Sequence, residues 1–247
     1  MEVLKHDSWA ATALYDGPGG KRVCKFNRQY PICGIPMKWL GRMLARHEVS
    51  VLRRLEDLPN VSPLAGEVLV EGRILHTAFA RDYIVGHPLG HHERVGDSFF
   101  PVLERLVTEM HRRNVAYVDM HKRENIIVDE NGEPHLIDFQ ISMMLPHHFP
   151  GNSLPMRVLL RLLRLSDLYH LQKHYARCRP DLLGFNSQEL AAMRPWWILA
   201  HRFVAKPLRT VRRRLLVMLR IRSGRGMANS EEFPEDALRR EAHQKKE

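Results

Sequence analysis

The chain has 247 residues, 44% hydrophobic and 27% charged, enough apolar material to fill the core of one large domain or two lobes. No uninterrupted apolar run reaches the roughly 18 residues of a membrane span, the start MEVLKHDSW lacks a secretion signal's pattern, and three cysteines without a CxxC pair imply neither a disulfide framework nor a zinc site. A cytoplasmic protein is expected, and its net charge of +10 points to an anionic partner: nucleotide, nucleic acid, phospholipid or acidic glycolipid.

The first 26 residues hold short apolar runs broken by DGPGG at 16–20, which predicts a strand, a glycine-rich turn and a second strand over 21–26. From 36 to 58, Trp39, Leu40, Met43, Leu44, Val51, Leu52 and Leu55 recur at three- and four-residue spacing, a helical pattern with room for one break, which Pro59 stops. Residues 67–80 (EVLVEGRILHTAFA) alternate as two strands joined at Glu71-Gly72. Then Phe99, Phe100, Leu103, Leu106, Val107 and Met110 mark one face of a helix. Its last turn is basic, as the helix dipole favours, and Asn114 can end it in the left-handed conformation. Two apolar segments at 125–128 and 135–137 flank Asp129-Glu130-Asn131-Gly132, a hairpin turn. Beyond Leu154 the pattern is helical to about Arg222, and the polar tail 227–247 is expected to be disordered.

Residues 115–140 read VAYVDMHKRENIIVDENGEPHLIDFQ: an acid, a short polar loop, an amide, a hairpin and a second acid. Phosphoryl transfer needs such a set, a carboxylate to take the proton of the attacking hydroxyl and oxygen ligands for the magnesium that neutralises the phosphates. The strip resembles the catalytic loop and Asp-Phe-Gly motif of the protein kinase-like superfamily. In that resemblance Asp119 corresponds to the catalytic Asp, Asn125 to the metal-binding Asn and Asp138 to the metal-binding Asp, while EMHRRNVAYVD is similar to the family's LHxxGVxHxD approach to the loop.

Upstream, Lys25 in RVCKF and Glu48 in ARHEVSVLRRL match the order and spacing of the family's strand lysine and helix glutamate, with Lys21 the weaker alternative. The stretch RDYIVGHPL is similar to the YIxGxPL that follows the interlobe hinge in RIO-like, aminoglycoside and lipopolysaccharide kinases. The resemblance covers roughly residues 3–144. It implies an α+β, two-lobed kinase-like fold over 1–226, with a β-rich N-lobe to about residue 81 and a helical C-lobe from about 82. It implies ATP and Mg2+ as cofactors, ATP lying between the lobes, with Lys25, Ser8, Ala80 and Asp82 as nucleotide contacts.

The chain also departs from the pattern. Asp119 and Asn125 stand six positions apart, one more than in HRDxxxxN, Gln140 replaces the glycine of Asp-Phe-Gly, no GxGxxG precedes Lys25, and no Ala-Pro-Glu follows. These differences point to a compact, atypical kinase acting on a protein Ser/Thr or on a lipopolysaccharide or other glycolipid sugar. A nucleotide-binding scaffold without turnover, a pseudokinase, is the alternative. His121 and Lys122 are candidates for contact with the γ-phosphate or the acceptor, against a plain solvated loop.

The fifteen histidines, including His91-His92 and His147-His148, lack a third ligand at metal-binding spacing and read as surface residues. Residues 201–225 mix arginines with apolar positions and contain no acid, which suits either an amphipathic helix on an anionic membrane over 201–226 or a terminal helix packed on the large lobe. Nucleic acid ranks lower, because stacking aromatics are missing.

Overall fold

The computed structural model describes residues 2–6, 10–17, 19–29, 31, 36–146, 151–183 and 189. Ser8, the basic stretch 201–226 and the tail 227–247 lie outside the described residues. The architecture is mixed α+β, with an N-terminal β-sheet region and a C-terminal helical region. Two compact units are distinguished among the described residues: those up to Arg46 with Leu64–Tyr83, and His47–Pro63 with the described residues from Ile84 on.

In the first unit, strands β1 (Glu2–His6), β2 (Ala10–Gly17) and β3 (Gly20–Asn27) run antiparallel. The β2–β3 turn contains Gly20 at φ 94°, a conformation that a side chain would strain. Burial alternates along β3, with Val23, Lys25 and Asn27 inside. Helix α1 (Lys38–Arg54) follows as one unbroken element, its residues from His47 on counted with the second unit. Of its predicted apolar positions, Val51, Leu52 and Leu55 are buried, whereas Trp39 and Met43 are more than half exposed.

The stretch expected to form two strands divides further. Strand β4 (Leu64–Gly66) precedes a small hairpin, β5 (Leu69–Val70) and β6 (Arg73–Ile74), whose turn is Glu71-Gly72 with φ of 51° and 75°. Strand β7 (Ala78–Asp82) is separate and completes the sheet order β1-β2-β3-β7-β4. The turn chemistry of Glu71-Gly72 is local and readable, but the exit from the hairpin at Leu75–Thr77 is set by β7 pairing with β3.

In the second unit, β8 (Gly86–Pro88) leads to α2 (Phe99–Arg112). All six apolar residues of its predicted face are buried, and Phe100 stacks on Tyr175 with centroids 4.5 Å apart. Asn114 takes φ 59° just past the helix, the left-handed stop expected there. Strands β9 (Val115–Ala116), β10 (Ile126–Asp129), β11 (Pro134–Leu136) and β12 (Met143–Met144) form two small sheets, ordered β11-β10-β8 and β12-β9. The hairpin turn is fastened by Asp129 Oδ1, which accepts the N–H groups of Asn131 and Glu133 at 2.9 and 2.8 Å. Helices α3 (Leu154–Cys178) and α4 (Pro180–Leu183) complete the described chain.

Gly86 has a steric reason to be glycine. A Cβ there would stand 2.2 Å from the Val128 carbonyl oxygen, so the β8–β10 pairing needs a residue without a side chain. No helix among the described residues is long and apolar enough to cross a membrane.

Candidate functional site

The site is built where β9 gives way to a short polar loop and where the β10–β11 hairpin ends. β9 is held by β12, and the Asn114 carbonyl accepts the Leu145 N–H at 3.0 Å. The chain then turns sharply at Val118, whose φ of 71° is rare for a β-branched residue and costs about 1–3 kcal/mol unless its surroundings fix it. They do. Asp167 of α3, 1% exposed, accepts the Tyr117 N–H at 2.7 Å on Oδ2 and the Val118 N–H at 2.8 Å on Oδ1. His111 Nε2 of α2 lies 3.1 Å from the same carboxylate. One turn pair further along α3, His174 Nε2 donates to the Met120 carbonyl at 2.8 Å. Burial pulls the His174 pKa down to about 4, so the ring is neutral and its N–H is available for that bond.

Between these clamps sits Asp119, 2% exposed. Its Oδ2 accepts Lys122 Nζ at 2.7 Å and Asn125 Nδ2 at 3.3 Å. Oδ1 is buried and accepts no hydrogen bond among the described residues, although His121 Nδ1 is 3.5 Å away. The loop closes on itself through Lys122 N–H to the Asp119 carbonyl and a single 3₁₀ turn, Arg123–Asn125. Arg123 Nη1 ties that turn to the Leu89 carbonyl at 3.1 Å.

Asn125 and Asp138 share one end of the hairpin, because the Ile137 N–H donates to the Asn125 carbonyl at 3.0 Å. Asp138 has φ 63°, held like Val118 in the left-handed region. Its neighbours are fixed on both sides. The Tyr117 hydroxyl donates to the Ile137 carbonyl, and the Phe139 N–H donates to Glu48 Oε1 at 3.1 Å. Tyr117 is fully buried, packs edge-on against Phe139, and its hydroxyl is pushed well above the usual phenol range by burial and by the charges of Asp138 and Asp119. It therefore stays a neutral donor. Ser142 donates from Oγ to the Phe139 carbonyl at 2.5 Å and receives the His47 Nε2 proton on its own carbonyl at 2.8 Å.

The structure thus brings Asp119, Asn125, Lys122, Asp138 and Glu48 into one connected network in the second unit. Lys25, Ala80 and Asp82 belong to the first unit: Lys25 is buried on β3, with Ala80 buried and Asp82 exposed on the adjacent β7. Ser8 lies outside the described residues. Sequence reasoning missed Asp167 and His174. Their one signal is a carboxylate and an imidazole seven residues apart on a leucine-rich helix, both polar on a stripe that should be apolar.

Chemically, the arrangement offers a buried carboxylate oxygen with no bound donor, a cation beside it, and an amide and a carboxylate at the neighbouring hairpin end. Hard oxygen donors of this kind suit a magnesium ion, which takes one or two protein ligands and keeps the rest for water or phosphate. Among the described residues no group of three His, Cys, Asp or Glu side chains forms a self-sufficient metal site. Set against known proteins, the chain matches no family model and no curated protein.

Proposed function

We propose that the protein is an ATP-dependent phosphotransferase of the kinase-like type, α+β and two-lobed, with a β-rich N-lobe to about residue 81 and a helical C-lobe beyond it. The observation that carries this reading is Asp119: a carboxylate held from three sides, with one oxygen committed to Lys122 and Asn125 and the other unbonded. That second oxygen is the proton acceptor for an incoming hydroxyl, and Asp119 orients the hydroxyl for in-line attack. Lys122 stabilises negative charge as it develops next to Asp119. Lys25 contacts the nucleotide phosphates, and Glu48 steadies the segment at Phe139 so that Asp138 keeps its direction. Asn125 and Asp138 would hold magnesium, which, when bound, neutralises the phosphate oxygens.

The acceptor is an alcohol of a protein Ser/Thr or of a glycolipid sugar, and the reaction belongs to the cytoplasm, where ATP is supplied. Gln140 and the missing glycine-rich loop favour the scaffold alternative, so turnover is the property to measure. Purified protein is incubated with labelled ATP and a lysate separated into protein, lipid and polysaccharide. Label should enter one fraction, and Asp119→Asn and Asp138→Ala should each abolish it. Full transfer by both variants sinks the proposal. Thermal unfolding with Mg-ATP separates the alternatives, since nucleotide at a hundred times its Kd adds about 2.7 kcal/mol. A shift without transfer identifies the scaffold.

A further inference from the structure

At the start of α3 the second unit carries a cleft of about 700 Å³, within the size range of small-molecule sites. Three of its lining residues are arginines, Arg157, Arg161 and Arg164, spaced at i, i+4 and i+7 so that they share one helix face. Among the described residues no carboxylate lines it. Arg164 donates from Nη2 to Asn114 Oδ1 at 2.9 Å, and its Nε is buried without a hydrogen-bond partner among the described residues. Burial also lowers the hold of Arg164 on its proton, the direction expected of a cation kept without a counter-charge.

The remaining wall is apolar. Leu145 and Leu160, both buried, form a floor continuous with Ala116, while Leu154 and Val158 stand at the mouth, 71% and 51% exposed. Three arginines lining one cleft, with no carboxylate beside them among the described residues, make it attractive to an anion. Their planar forks match phosphate oxygens in pairs, and a phosphomonoester brings nearly two charges to meet them. A free inorganic anion would leave the leucine floor and mouth wetted, whereas an amphiphile would cover them.

We propose that this cleft binds the phosphomonoester headgroup of an amphiphile, with the arginines on the phosphate and the leucines on the adjoining hydrocarbon. The site is separate from the Asp119 network and stands whether or not the chain transfers phosphate.

The test is calorimetric titration of the full chain with dihexanoyl phosphatidic acid kept monomeric, inorganic phosphate, and dihexanoyl phosphatidylcholine. Phosphatidic acid should bind, phosphate should bind at least roughly tenfold more weakly, and the zwitterionic lipid should not register. Arg157→Ser with Arg161→Ser should weaken phosphatidic acid binding by roughly tenfold or more at unchanged Tm, and the double lysine variant should recover part of it. Both positions are exposed, so the fold is not at stake. Wild-type affinity in the double serine variant would assign binding to other basic residues and overturn the proposal. So would equal affinity for phosphate and phosphatidic acid, or no binding of either at millimolar concentration.

Discussion

Asp167 fixes the turn into Asp119, and removing it has a calculable cost. In Asp167→Ala the N–H groups of Tyr117 and Val118 lose the carboxylate that accepts them, at 2.7 and 2.8 Å. Each buried, unpaired N–H costs about 1–3 kcal/mol. Release of Val118 from φ 71° returns on the order of 1 kcal/mol, because the strained conformation is no longer enforced. The net loss is about 1–5 kcal/mol. Asp167→Asn keeps the shape and one acceptor oxygen but turns an NH₂ toward the other donor, so it should lose about 1–3 kcal/mol. Urea unfolding measures both differences, and hydrogen exchange of the Tyr117 and Val118 amides reports the site directly. These amides should lose protection in Asp167→Ala while those of α2 keep it. Stability within about 0.5 kcal/mol of wild type, with both amides still protected, would refute the assignment of Asp167 as the clamp.

His174 makes stability depend on pH. Its pKa falls from 6.5 to about 4 on folding, so between these values the unfolded chain binds more protons and stability declines as pH falls. The decline attributable to this group reaches about 3 kcal/mol near pH 4, and His174→Gln should remove that part of the difference between pH 7 and pH 4.5 unfolding curves. Gly86→Ala should cost about 1–3 kcal/mol, because its Cβ meets the Val128 carbonyl at 2.2 Å. An unchanged urea midpoint would contradict that contact. If the chain transfers phosphate as proposed, Lys122→Ala, whose side chain is 36% exposed, should lower that transfer more than tenfold with little change in Tm, and equal kcat in the variant would remove Lys122 from the proposed mechanism.

Most of what could be read in advance is local in the chain. The six buried positions of α2 follow from helical spacing, the stop at Asn114 from its tolerance of positive φ, and the hairpin from Asp129-Glu130-Asn131-Gly132. Asp119 and Asn125 are six residues apart, so a short loop already confines them, and the structure brings them to 3.3 Å. Gly86 was legible as part of RDYIVGHPL, but its reason, a carbonyl 42 positions along the chain, was not.

The sequence by itself determined the helices with one apolar face, the turns, and the residues of the polar strip, because each rests on dihedral preferences and on burial patterns within a few residues. Tertiary structure alone decided what holds that strip. Asp167 and His174 reach back about fifty residues to the backbone of Tyr117, Val118 and Met120, and Glu48 reaches forward 91 to Phe139. Their partners are main-chain N–H and C=O groups, which every residue carries alike, so no side-chain pattern in the sequence marks the pairing.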